Sequence, residues 1–217
     1  MPAYDFITFD CYGTLIDWES GIANAFIEAG VPHDRDTILR AYAIAERAIE
    51  SDTYRSYRDV LTEAALRVAE SLDWPLTAQR ARFLPDSLPS WKPFADTNPS
   101  LERLRAAGTH LGILSNTDDD LIAATRKHFS VKFDLVITAQ QVRSYKPAHP
   151  HFLAARERIG DAKWLHAAES NFHDVVPANA LGIANAWINR KHESPLDGGT
   201  PTYEFGDLTG LAALIES

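Results

Sequence analysis

Short apolar and β-branched runs recur along the chain, most of them followed by stretches with helical spacing. Tyr4–Asp10 (YDFITFD) is the first such run and predicts a strand, which stops at a turn built on Gly13. From about Leu15 to Trp91 the pattern is helical. Asp36 is expected to cap a helix over Thr37–Ser51, and a second helix fits Tyr57–Ser71. There Val60, Leu61, Ala64, Ala65, Val68 and Leu72 fall on one face. A weaker third fits Thr77–Leu84. Pro85, Pro89, Pro93 and Pro99 then punctuate a connecting stretch.

Beyond it the two periods alternate. Strands are expected at His110–Leu114, Phe133–Thr138, Trp164–Ala168 and Ala186–Ile188. Helices are expected at Leu101–Ala107, Asp119–His128, Pro150–Ile159, Val175–Leu181 and Leu208–Ile215. Strands alternating with helices predict an α/β fold, a doubly wound, Rossmann-like parallel sheet covered on both faces. The helical block after the first strand is foreign to that pattern. It reads as an inserted cap over residues 16–95, with residues 1–15 and 96–217 forming the core and hinges near Leu15–Trp18 and Trp91–Thr97.

Composition narrows the function. The 217 residues are 45% hydrophobic and 24% charged, as in ordinary globular proteins, and carry a formal net charge of −9 without a basic cluster. Such a surface repels nucleic acid phosphates and anionic lipid. Cys11 is the only cysteine, which excludes an intramolecular disulfide and a cysteine-based metal site. With neither a signal-peptide pattern nor a membrane-length apolar run, a cytoplasmic protein is expected.

In open α/β sheets ligands bind beyond the carboxyl ends of the strands. The first strand ends at Asp10 and the second at Ser115-Asn116. The third is followed by Lys146, and the fourth runs into Glu169-Ser170-Asn171 and Asp174. Four strand ends thus bring carboxylates, a hydroxyl and an ammonium together.

The segments FDCYGTLIDW, ILSNT, YKPAHPHF and ESNFHD resemble the four ordered motifs of the haloacid dehalogenase superfamily. The D-x-Y-G-T form of the first is similar to that of the type II 2-haloacid dehalogenases. The superfamily's phosphatases carry an Asp two positions after the nucleophile, to protonate a basic leaving alkoxide. Tyr12 stands there instead. A chloride or bromide leaves without a proton and needs only donors around the developing anion.

The resemblance implies Asp10 as covalent nucleophile, with Thr14 donating to its carboxylate and Lys146 holding it ionised. Ser115 and Asn116 would bind the carboxylate of a small anionic substrate and help receive the halide. Asp174, with Asn171 and Ser170, would orient the water that attacks the ester. Arg40 is the expected halide ligand from the cap, with Arg47 and Arg55 as alternatives, and Tyr12, Trp18 and Tyr57 would form an aromatic pocket. No cofactor is implied, and family members are often dimers. Ser-Asn-Thr-Asp equally fits a plain helix start, and Ser170 a helix cap.

Two residues depart from the dehalogenase pattern. Glu169 replaces a small neutral residue and His173 a bulky aromatic one, and either is open to a role in the pocket. An acid at 169 leaves a second reading, in which Asp10, Glu169 and Asp174 hold Mg²⁺ in a phosphatase. A third is a non-catalytic protein on the same fold.

Overall fold

The computed structural model describes residues 3–50 and 54–216, without the side chains of Arg47 and Glu50. Six strands, β1 (Phe6–Phe9), β2 (His110–Ser115), β3 (Leu135–Thr138), β4 (Trp164–Ala168), β5 (Ala184–Ile188) and β6 (Tyr203–Phe205), form one parallel sheet in the order β3-β2-β1-β4-β5-β6. This is the Rossmann strand order. Connections from β1 run to one side and those from β4 to the other, so a crevice opens beyond the carboxyl ends of β1 and β4.

Side chains alternate across the sheet and feed two cores. Ile7, Phe9, Leu111, Ile113, Leu165 and Ala167 face one way. There they meet Leu101 and Leu104 of α5 (Thr97–Ala106) and Leu208, Leu211 and Ile215 of α10 (Leu208–Glu216). On the other face Leu114, Leu135 and Ile137 meet Phe152 and Ala155 of α8 (Pro150–Ile159) and Ala178 of α9 (Val176–Ala180). Short α6 (Asp119–Thr125) and α7 (Ala139–Val142) complete the crossovers.

Between β1 and α5 lie α1 (Trp18–Glu28), α2 (Arg35–Glu50), α3 (Tyr57–Ser71) and α4 (Phe83–Ser87). α3 has the expected bounds. The other helices differ in instructive ways. α1 was not expected, because Gly21 and a run of small residues weaken its signal. Gly21 is required there, since a Cβ would run into the Trp91 ring. The cap of α2 is Asp34 rather than Asp36: its Oδ1 accepts from the Thr37 amide at 2.8 Å, leaving Asp36 inside the first turn. The expected end of that helix at Ser51 falls outside the described residues. In place of a helix over Thr77–Leu84, a 3₁₀ turn at Arg80–Arg82 runs into α4. β6 was also unexpected, three residues being too few to show a period.

Where the chain leaves and re-enters the sheet, its two passages lie side by side. Ile16 and Pro93 form an antiparallel bridge, the Asp17 amide donates to Lys92 O at 2.9 Å, and the Thr97 hydroxyl donates to Leu15 O at 2.8 Å. A second tie crosses farther out. Asp118, buried in the loop after β2, accepts the Tyr57 and Arg58 amides on its two carboxylate oxygens, both at 3.0 Å. Ser56 Oγ takes the next free amide, that of Asp59, so the first turn of α3 is satisfied. A carboxylate there also complements the positive end of the helix. Among the described residues no helix is long and apolar enough to cross a membrane.

Asp118→Ala removes both amide acceptors without touching the sheet. It should lower the unfolding free energy by about 1–2 kcal/mol in a urea titration. An unchanged midpoint would mean that this clamp contributes nothing.

Candidate active site

At the crevice the Lys146 ammonium spends each of its three protons on a different partner. It donates to Asp10 Oδ1 at 2.9 Å, to Asp174 Oδ1 at 2.6 Å and to Leu114 O at 3.0 Å. Asp10 follows β1, Leu114 lies in β2, Lys146 follows β3 and α7, and Asp174 follows β4, so one cation ties four strand ends. The segment bearing Lys146 is itself fixed. Asn116 Oδ1 accepts the Lys146 amide at 2.7 Å and Asn116 Nδ2 donates to Lys146 O at 3.1 Å.

The other Asp10 oxygen accepts from Thr14 Oγ1 at 3.1 Å, and Thr14 Oγ1 in turn accepts the Glu169 amide at 2.8 Å. The turn between them needs Gly13, which has φ +103° and stands where a Cβ would meet Glu169 Oε2 at 3.2 Å and the Trp18 indole at 3.3 Å. Arg190, just past β5, donates to Thr14 O at 2.9 Å while paired with Asp96 at 2.8 Å, which steadies the loop that carries Asp10 and Thr14.

These contacts split the two carboxylates. Burial pushes the Asp10 carboxyl up, and the neighbouring Asp174 adds to the rise; Lys146 and Thr14 oppose it without overcoming it. Burial also acts against ionised Asp174, but there the Lys146 ammonium and the bond from His166 win, and its carboxyl sits well below the usual range. Burial disfavours the Lys146 ammonium, yet the two carboxylates outweigh it and its pKa rises. Lys146 is therefore charged. Lys146 favours the ionised form of Asp10, but the same ammonium serves Asp174 and does not outweigh the burial.

Above this cluster lies a cavity of about 760 Å³, bounded by the sheet ends on one side and by α1, α2 and α3 on the other. Tyr12, Trp18, Tyr57, Trp91, Tyr145 and Phe172 give it aromatic walls. Two of the residues that line it carry a buried polar atom without a protein partner, Ser115 Oγ and Asp174 Oδ2. One is a hydroxyl able to donate, the other an oxygen able to accept.

Several expected site residues sit elsewhere or are already occupied. Arg40 is exposed, donates to Thr37 of its own helix at 3.1 Å and does not line the cavity; Ala43 and Glu46 present α2 to it instead. Arg55 pairs with Glu63, and the Arg47 side chain lies outside the described residues. Asn171 lines the cavity, but its amide is held by a loop, donating to Gly199 O at 2.8 Å and accepting from the Leu196 amide at 3.1 Å. Ser170 caps the turn after β4 by accepting the His173 amide at 3.1 Å, and its hydroxyl lies 3.0 Å from His173 Nδ1. His173 packs edge-on against Phe172 at the cavity wall. Glu169 faces Lys191 at 3.5 Å, and burial, ahead of the opposing Lys191, raises its carboxyl.

Other contributors went unnoticed in the sequence. Lys191 lines the cavity and pairs with Glu19 at 2.7 Å, and its signal was the basic NRK after a fifth strand. Glu46 accepts from Tyr42 at 2.6 Å and Tyr57 at 3.0 Å, and burial raises its carboxyl. His166 contacts Asp174 Oδ1 at 2.9 Å, and its signal was a histidine inside an otherwise apolar strand.

Known proteins share this arrangement of chain. The profile of the haloacid dehalogenase-like hydrolase family matches residues 4–170. An (S)-2-haloacid dehalogenase of Pseudomonas putida is 31% identical over 196 residues, spanning 86% of this chain and 85% of that protein. In fold, the crystal structure of an L-2-haloacid dehalogenase superposes with a TM-score of 0.88 at 24% identity, covering 99% of both chains. That of an L-2-haloacid dehalogenase of Xanthobacter autotrophicus, with chloropropionic acid covalently bound, superposes at 0.78 with 20% identity and the same coverage. The ordered motifs, the strand order and the match over most of the chain agree: this chain belongs to the haloacid dehalogenase-like hydrolase family.

Proposed function

We propose that the protein hydrolyses the carbon–halogen bond of short 2-haloalkanoic acids through an ester on Asp10, giving 2-hydroxy acids. The observation that carries this reading is Tyr12. It holds the position where a phosphatase of the superfamily keeps its acid, and its hydroxyl is turned to Thr125 Oγ1 at 2.9 Å. Burial raises the phenol's pKa well above its ordinary value. No acid stands there to protonate an alkoxide, which a departing halide does not need. The relatives named above as 2-haloacid dehalogenases support the same substrate class.

In this reading a carboxylate oxygen of Asp10 attacks the α-carbon from behind, the carbon–halogen bond breaks and the halide leaves with the electron pair. Configuration at a chiral α-carbon inverts. Ser115 Oγ offers a donor to the substrate carboxylate, and the aromatic walls face its alkyl part. Water then attacks the ester carbonyl carbon of Asp10 and gives its proton to Asp174 Oδ2. Collapse releases the 2-hydroxy acid, whose alkoxide takes that proton, and Asp10 returns to the carboxylate by giving the second water proton to solvent. Residues 16–95 act as the cap over this chemistry.

The Mg²⁺-phosphatase reading fits the residues poorly. Lys146 stands between Asp10 and Asp174 where a cation would go, and Glu169 is turned to Lys191. Among the described residues no three His, Cys, Asp or Glu side chains cluster to hold a metal ion. The reaction as proposed draws on no cofactor.

Purified protein should release halide from chloroacetate and L-2-chloropropionate at a rate unaffected by EDTA. Asp10→Asn should lower that rate by about a thousandfold or more. Failure to release halide from any haloacid, with EDTA-sensitive turnover of p-nitrophenyl phosphate, would reverse the assignment.

Asp10 must be ionised to attack, and its carboxyl is raised, so activity should be lost as pH falls through that raised value. The acid limb of kcat/KM should therefore have an apparent pKa above the ordinary Asp value of 3.8. A limb at or below it would contradict the charge balance described for the cluster.

A further inference from the structure

We propose that His166 is a positioning residue for Asp174 that acts in ester hydrolysis and not in ester formation. The inference rests on the dehalogenation reading above. His166 is buried on β4 directly opposite Thr8 of β1 in the parallel register, with Trp164 two residues before it on the same face. On that face the imidazole packs edge-on against Phe152 of the apolar core at 5.2 Å and lies beside the buried Asn185, its partner in β5. Polar groups in such a place cost stability unless each finds a partner.

They do, in an unbroken line. Trp164 Nε1 donates to Thr8 Oγ1 at 2.8 Å, Thr8 Oγ1 lies 2.8 Å from His166 Nδ1, and His166 Nε2 lies 2.9 Å from Asp174 Oδ1. Donor counting sets the direction. The Asp174 carboxylate only accepts, so Nε2 carries the proton that faces Oδ1; Nδ1 of the neutral imidazole then accepts from the Thr8 hydroxyl, which itself accepts from the Trp164 indole.

That oxygen is thereby filled, by His166 on one side and the Lys146 ammonium on the other. Asp174 Oδ2, buried and without a protein partner, is the oxygen left to take a proton from water. As the water oxygen bonds to the Asp10 carbonyl carbon, its proton passes to Oδ2. When the intermediate collapses, the carbon–oxygen bond to the substrate breaks and the departing alkoxide recovers that proton. His166 neither gains nor loses a proton. It keeps the carboxylate from rotating about its own axis, and the Trp164–Thr8 pair keeps His166 in the donating tautomer. His166 touches Asp174 and not Asp10, so its direct contact is with the base of the second step and not with the nucleophile of the first.

The test compares His166→Leu with His166→Gln, whose amide can still donate to Asp174, in steady-state halide release and in mass spectra of acid-quenched protein. The Leu variant should lose about 10- to 100-fold in kcat, the scale of a hydrogen bond to a charged group. KM should fall in parallel and kcat/KM, which reports steps up to halide departure, should hold. The ester should accumulate on the peptide containing Asp10. The Gln variant should stay within about threefold of wild type in kcat. Wild-type kcat in the Leu variant, or equal losses of kcat and kcat/KM with no trapped ester in a variant that melts normally, would overturn the inference alone. A wild-type protein that releases no halide would overturn the dehalogenation reading and this inference with it.

Discussion

A buried ammonium shared by two carboxylates and a carbonyl is the constraint on which the site depends. Removing Lys146, Asp10 and Asp174 from water costs several kcal/mol per ion, and only close, fully hydrogen-bonded pairing offsets it. The three protons of Lys146 meet three acceptors at 2.6–3.0 Å, so the ammonium has no unpaired direction left. The outer contacts serve that geometry. Asn116 fixes the lysine's backbone from both sides, and Arg190 braces the loop that carries Asp10 and Thr14.

The same sharing explains why two chemically identical side chains can do different work. Asp174 receives both Lys146 and His166 on one oxygen, which favours its charged form. Asp10 has to divide the lysine with a neighbouring negative charge. The environment thus separates them, favouring the charged form of Asp174 over that of Asp10. A sequence names both as Asp; only the partners tell them apart.

Much of the architecture was legible because its signals are local and repeated. Alternating strands and helices specify a parallel sheet, and the apolar stripe of Tyr57–Ser71 gave α3 its bounds. Four strand ends carrying Asp10, Ser115-Asn116, Lys146 and Glu169 to Asp174 pointed to one crevice, and the structure brings them to it. What escaped was set by tertiary contact. Gly21 disguises α1 for the sake of a Trp91 ring from the far end of the helical segment. The acceptor that completes the start of α3 is Asp118, 61 residues from Tyr57 in sequence.

Site residues show the same limit more sharply. A residue type states what a side chain can bind, whereas competition among neighbours decides what it does bind. Arg40 has the charge expected of a halide ligand, but its position on α2 turns it outward to Thr37. Asn116 and Asn171 have the amides expected of ligands at a reaction centre, and spend them on backbone. Ser115 Oγ and Asp174 Oδ2 are the converse case, buried polar atoms of cavity-lining residues that no protein group satisfies. Leaving such atoms without partners costs about 1–3 kcal/mol each. Thr117 Oγ1 and His151 Nδ1 are buried without a partner as well, so the lack of a partner does not by itself mark a ligand atom; what sets Ser115 and Asp174 apart is that both residues also line the cavity.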